Sequence, residues 1–381
     1  MAERTSDGRV TAVFSAVHFL VDLACIFLLT AFIVLMVEDR TVWMLCVLTY
    51  NFCAFACQLP IGALGDRMKN PFLMAAIGCV LIAIAYGMVY WGNRFLPETA
   101  LLKGLPLLVS VTAGIGNSCF HVGGGIEVLR RSGPKAALPG VFVSTGAFGV
   151  FLGPVLAGKK AARDFGVPAG VLIMAVCAAV LLAYRKSAVR LQASEKDSAH
   201  AAAEHLPRKP EWRDMAGPAA LCLILTVLLR SYAGTVMGFG WKRGMTALFF
   251  TAGIVFGKMA GGFLGDRIGW MRAAMLSLGG SAVLFVLAES RPVFGIAAVF
   301  LFNMTMPLTL SALAGLYRDS AGTAFGMLTL ALFLGTLPSM MTAAGWIPGV
   351  TFRILPTVSL LSAGLMAAGL ALFFGKRGET A

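Results

Sequence analysis

Two stretches decide the fold: Gly62-Ala-Leu-Gly-Asp-Arg-Met68 and Gly262-Phe-Leu-Gly-Asp-Arg-Ile268. They share the frame Gly-x-Leu-Gly-Asp-Arg, and Asp66 and Asp266 lie 200 positions apart. Each copy follows the second long apolar run of its half of the chain, so an internal duplication is the economical explanation. The glycines allow two helix ends to approach closely. The Asp66–Arg67 and Asp266–Arg267 pairs, placed just past those helix ends, are expected to bond across a short loop.

Working outward from the repeat, the composition identifies the solvent. Of 381 residues, 58% are hydrophobic and 13% charged, against roughly 25% charged in soluble domains. A bilayer core requires about 20 mostly apolar residues per spanning helix. That ruler places spans at 11–37, 41–62, 71–91, 103–127, 138–158 and 167–184, then at 216–239, 245–264, 271–288, 292–316, 321–343 and 354–374. The only long polar stretch, 185–215, divides the chain into a first six-helix bundle (1–184) and a second (216–381), with the stretch itself a cytoplasmic loop. The predicted fold is an all-α membrane protein of twelve transmembrane helices in two pseudo-symmetric six-helix bundles.

Net charge is +13, and nineteen of the 31 Lys and Arg fall in loops on the side of the termini, against ten on the other side. Basic loops stay cytoplasmic, so both termini are expected inside an inner (plasma) membrane. The basic residues form no contiguous face, which excludes a nucleic-acid partner. The eight cysteines nearly all sit in apolar runs without CxxC spacing and read as small packing residues. The first apolar run, from Thr11, is too long for a cleavable leader and reads as a span.

At the repeat the chain resembles the major facilitator superfamily, on Gly62, Leu64, Asp66 and Arg67 and again on Gly262, Leu264, Asp266, Arg267 and Gly269. The first copy departs at Lys69-Asn70-Pro71. The fifth span, with Gly149, Gly153, Pro154 and Gly158, is similar to the glycine-proline motif of the superfamily's exporters. A closer resemblance, to the fosmidomycin resistance protein family, rests on four stretches: His18-Phe-Leu-Val-Asp22, Gly114-Ile-Gly-Asn-Ser-Cys-Phe-His121, Leu229-Arg230-Ser231 and Met306-Pro307-Leu308-Thr309. The resemblance implies proton-driven export, with spans one, four, seven and ten lining a central cavity. His121 is followed here by Val122-Gly123, where that family commonly has Pro-Glu.

Ionisable groups at membrane depth cost about 2.5–3.5 kcal/mol each, so each needs a reason. His18 and Asp22 share one helix face, as do Asn117 and His121. The first pair is either a satisfied intrahelical bond or a proton-coupling site; His121 is either a core histidine or a cavity group. Arg230, too deep to reach either interface, is expected to bind substrate together with His121, Asn117 and Asn303. Lys258 is expected to reach the Asp266 loop or the headgroups, and Glu127 to pair with Arg130 or Arg131. Gln58 and Asn51 are expected to bond between helices.

Asp66, Arg67, Asp266 and Arg267 are expected to latch the halves during alternating access. The transported partner is a small polar or anionic molecule, the only other partner is membrane lipid, and a monomer is expected. No cofactor is required beyond a proton gradient. An importer of organic anions, which would use Arg230 equally well, is the alternative; a divalent-metal permease built on His18, Asp22 and His121 is a further rival, opposed by the positive Arg230. A membrane enzyme would show HExxH or paired acidic motifs, and neither is present.

Overall fold

In lipid, every backbone N–H and C=O must be satisfied within the protein, so long apolar runs fold as helices. The computed structural model describes residues 2–68, 70–95, 100–199 and 216–375, and among these it contains helices and no strand. Twelve helices are long and apolar enough to cross a membrane. The first half holds α1 (Asp7–Met36), α2 (Arg40–Met68), α3 (Pro71–Gly92), α4 (Gly104–Ser132), α5 (Ala137–Ala157) and α6 (Lys160–Arg185). The second holds α7 (Gly217–Val236), α8 (Gly244–Ile268), α9 (Trp270–Leu287), α10 (Pro292–Leu316), α11 (Ala321–Ala343) and α12 (Phe352–Gly375).

The helices run further than the apolar count alone predicts. α2 and α8 continue through the repeated motif to Met68 and Ile268, so Asp66 and Asp266 sit in a last helical turn rather than past the end. Nothing in Gly-Asp-Arg breaks a helix; the helix ends at Met68, ahead of Pro71, in one copy and at Ile268, before Gly269 with φ +94°, in the other. The helix carrying α6 starts at Lys160 and continues to Ala199, into the stretch expected as a loop; residues 200–215 of that stretch lie outside the described residues. α10 is interrupted between Asn303 and Thr305, where Pro307 has no N–H to offer the preceding turn.

Within the first half, α1 packs on α5 and α3 on both α4 and α6; in the second, α7 packs on α11 and α12, and α9 on α10 and α12. Two seams join the halves: α5 against α8, and α2 against α11. Among the described residues no comparable packing joins α1 to α7. The seams are tightest at the end that carries Asp66 and Asp266. A Cβ on Gly62 would overlap the Gly322 carbonyl, and one on Gly262 would overlap that of Ala136. An aromatic layer closes the interior on the same side. Phe14 lies 5.1 Å from Phe72 and 6.4 Å from Phe120, and Phe142 lies 6.5 Å from both Phe120 and Phe325 of the other half. The glycines that follow His121 make room for it, since a Cβ on Gly124 would strike the Phe142 ring and one on Gly125 the Phe325 ring.

Candidate transport site

His18 and Asp22 are one turn apart on α1, and Asn117 and His121 are one turn apart on α4; the packing turns both faces toward each other. His18 Nε2 lies 3.2 Å from Asp22 Oδ2, and His121 Nε2 lies 3.5 Å from Asp22 Oδ1. The two Nε2 atoms are 2.8 Å apart. Asn117 Nδ2 donates to Asp22 Oδ1 at 3.1 Å. The far side of each ring meets backbone: His18 Nδ1 is 2.7 Å from the Phe142 carbonyl and His121 Nδ1 is 2.9 Å from that of Asn117. His18, His121 and Asn117 are 5%, 8% and 2% exposed, so their polar atoms look inside the protein for partners; Asn117 Oδ1 alone of these finds none. His18 and Asp22 therefore do more than satisfy each other: they form one cluster with α4 and α5.

Close approach of α5 makes the cluster possible. A Cβ on Gly146 would overlap both Asp22 Oδ2 and His18 Nε2. Gly149 faces the Phe19 carbonyl and Leu23 nitrogen, and Gly153 faces Ile26 and Phe27 of α1. These motif glycines thus form the α1–α5 seam, whereas Gly158 has only atoms of its own helix nearby, including the Pro154 carbonyl.

Arg230 lies in the second half on α7. It is 7% exposed, and its Nε and Nη1 have no hydrogen-bond partner. Its guanidinium carbon stands 5.7 Å from the centre of the Phe302 ring of α10, within cation–π range. That contact does not supply the countercharge a buried guanidinium calls for. Two of the residues expected at Arg230 bond elsewhere: Asn117 and His121 join Asp22 and His18. Asn303 turns back to its own helix, donating to the Val299 carbonyl at 2.8 Å.

Lys258 is not where its sequence position suggested. Its Nζ donates to the Val143 carbonyl at 3.1 Å, crossing from α8 to α5 instead of turning to the Asp266 loop. It lies close enough to Arg230 and Asp22 for their charges to interact, and His121 feels it as well. The signal was present in the chain: ten residues before Ile268 corresponds to about 15 Å of helix, beyond a lysine's reach. Gln58 and Asn51 also differ from expectation, bonding to the Ala54 and Val47 carbonyls of their own helix.

The repeated acids bond across the two halves. Asp66 of α2 accepts from the Gly322 and Thr323 nitrogens at 2.7 and 2.9 Å, and from Thr323 Oγ1 at 2.8 Å, at the start of α11. Asp266 of α8 accepts from the Ala136 and Ala137 nitrogens at 2.8 and 2.9 Å at the start of α5, and from Trp270 Nε1 at 3.2 Å. Each carboxylate caps the other half's helix, where free N–H groups and the helix dipole favour an anion. The expected Asp–Arg bond is not formed, and Arg67 and Arg267 are exposed. Glu127 pairs with Arg131 at 2.6 Å, and Arg131 also reaches Asp7 at 2.9 Å, tying α4 to α1.

A family model for the Major Facilitator Superfamily matches residues 14–340. The chain belongs to this superfamily. Its helical architecture and duplicated halves accord with that membership, and the superfamily is one of transporters rather than enzymes. Three solved structures show the same fold. The human organic anion transporter MFSD10 (TETRAN) superposes with a TM-score of 0.68 at 16% identity, over 94% of this chain and 99% of that one. A bacterial homologue of the iron transporter ferroportin, in an outward-facing state, gives 0.62 at 15% identity, over 97% and 100%. The proton:xylose symporter XylE gives 0.61 at 14% identity, over 96% of each chain. No curated protein matches the sequence.

This superfamily member therefore holds two chemistries in its interior, a histidine–carboxylate cluster in the first half and two cations, Arg230 and Lys258, in the second, with Lys258 between them. Two imidazoles and a carboxylate within 4.8 Å of one another are also a donor set for a divalent ion. The neighbouring lysine and arginine oppose one.

Proposed function

We propose that the protein is a secondary active transporter that exports a small organic anion in exchange for protons, working by alternating access as a monomer. One observation carries the substrate class: Arg230 is buried with no carboxylate beside it and with two of its nitrogens unpaired. A buried charge without a partner is costly, and a transported anion relieves that cost on arrival. Lys258 adds a second positive charge on the same side, and Asn303 marks the α10 wall of the route. The organic-anion transporter among the similar folds accords with this reading.

The proton is carried by the cluster of His18, Asp22, Asn117 and His121. The glycine-proline stretch of α5 and the resemblance to the fosmidomycin resistance family favour export. The excess of basic loops on the side of the termini favours a plasma-membrane protein with both ends in the cytoplasm. Asp66 and Asp266 are then cytoplasmic latches, and the conformation described is the one closed to the cytoplasm.

The test is counterflow and uptake of a panel of organic anions, organic cations and divalent metals in proteoliposomes, with a pH gradient imposed in either direction. Saturable flux of anions, accelerated when protons run opposite to substrate, is the expected outcome. Acceleration when protons and anion run together would make the same site an importer. Flux of cations or metals without anions would overturn the reading.

A further inference from the structure

We infer that His18 and His121 hold a single proton between their Nε2 atoms in this conformation, beside an ionised Asp22, so that the histidine pair and not the carboxyl group is the seat of the proton. The inference deepens the proton-coupling reading above, although its test does not depend on flux.

Hydrogen-bond inventory carries the argument. A backbone carbonyl can only accept, so the ring nitrogens facing Phe142 O and Asn117 O must both carry hydrogen. A neutral imidazole has one N–H, which these bonds already use. Both Nε2 atoms would then present bare lone pairs to each other at 2.8 Å, and to the carboxylate oxygens at 3.2 and 3.5 Å. The Asn117 amide is the one donor given to this group of acceptors, and it is directed at Asp22 Oδ1. A separation of 2.8 Å is hydrogen-bond length, and one added proton turns the repulsive contact into a charge-assisted N–H···N bond.

Placing that proton on Asp22 instead would satisfy His18 through Oδ2 and leave the two nitrogens still opposed. A proton between the rings resolves the shortest contact and sets a positive charge 3.2 and 3.5 Å from the oxygens of an ionised Asp22, its counterion. The other ionisable groups facing the cluster are Cys25 on α1, Tyr50 on α2 and Lys258 on α8, with Arg230 on α7 behind Lys258. α4 contributes none beyond His121, and α5 presents the Phe142 and Val143 carbonyls.

Loss of the proton sets the rings against each other and pushes α1 away from α4. The Phe142 carbonyl holds His18, and the next carbonyl, Val143, holds Lys258 of the other half. The proton is thus two adjacent carbonyls away from a bond that joins the two halves in this conformation. No covalent step is involved: one proton binds as the cluster loads and one leaves as it empties.

The test is solid-state NMR of ¹⁵N-histidine protein in lipid bilayers, carrying His200→Gln and His205→Gln so that only the two cluster rings report. At the pH where the protein is loaded, both rings are expected to keep an Nδ1–H, with a ¹⁵N–¹⁵N coupling between their Nε2 atoms that disappears as pH rises. Infrared difference spectra between loaded and unloaded protein are expected to lack any protonated-carboxyl band sensitive to Asp22→Asn. A carboxyl band that vanishes in that variant would overturn the inference, as would a ring carrying its hydrogen on Nε2 alone at every pH. So would a metal retained by the purified protein with both Nε2 signals shifted. Flux uncoupled from protons, with the NMR signature intact, would instead refute the transport reading.

Discussion

Arg230→Met is expected to abolish saturable anion transport while leaving the empty protein at least as stable as the parent. Removing one member of a buried ion pair usually destabilises a fold because the partner is stranded. Here no carboxylate is stranded, since the guanidinium faces the Phe302 ring and two of its nitrogens bond nothing. The loss falls on the ligand. Interactions between a buried charge and its partner are worth about 2–5 kcal/mol, so apparent affinity for a transported anion should fall by roughly 30- to several thousand-fold. Counterflow with any anion the parent carries, paired with thermal unfolding in detergent, checks both halves of the statement. Unchanged transport would remove Arg230 from the site; a sharply lowered unfolding temperature would show that its role is structural.

The second large effect concerns the seams. Asp66→Ala combined with Asp266→Ala is expected to shift the equilibrium away from the conformation closed at this end. Each aspartate makes three hydrogen bonds, and at each at least two come from the first N–H groups of a helix in the other half. Hydrogen bonds to charged groups contribute about 1.5–3 kcal/mol each, and not additively. A loss of about 2–4 kcal/mol per seam would change the closed-to-open ratio by roughly 30- to 1,000-fold for each seam disrupted. Spin labels at Arg67→Cys and Asp319→Cys, both exposed positions, should report a short distance in the parent and a long or bimodal one in the double variant. Gly62→Val should open the same seam by steric means, because its side chain would meet the Gly322 carbonyl. An unchanged distance in both variants would show that the carboxylates are ordinary caps.

Much of this architecture was legible beforehand, for physical reasons. Lipid requires long apolar runs, so twelve spans could be counted from composition alone, and the duplicated Gly-x-Leu-Gly-Asp-Arg placed equivalent helix ends 200 residues apart. Helix ends were less legible, because Gly-Asp-Arg neither prolongs an apolar run nor stops a helix. At the site, pairs four apart on one helix were readable: His18 with Asp22, and Asn117 with His121. Their meeting was not, since it depends on how α1 and α4 cross and on Gly146 letting α5 approach. The partners of Asp66 and Asp266 were misread for a related reason. The obvious neighbour in sequence is the adjoining arginine, whereas the N–H groups that bind the carboxylates come from helix starts in the opposite half. Lys258 was misplaced because a span counted only to residue 264 put it too near a membrane surface.

Proton movement during anion exchange tests the account most directly. In sealed vesicles bearing an internal pH indicator, the parent protein should move protons whenever a transported anion flows down its gradient. Asp22→Asn, which removes the counterion of the proton-bearing cluster but leaves Arg230 in place, should still exchange anion for anion while moving no protons. Protons still exchanged against the anion in that variant at the parent's rate would contradict the account.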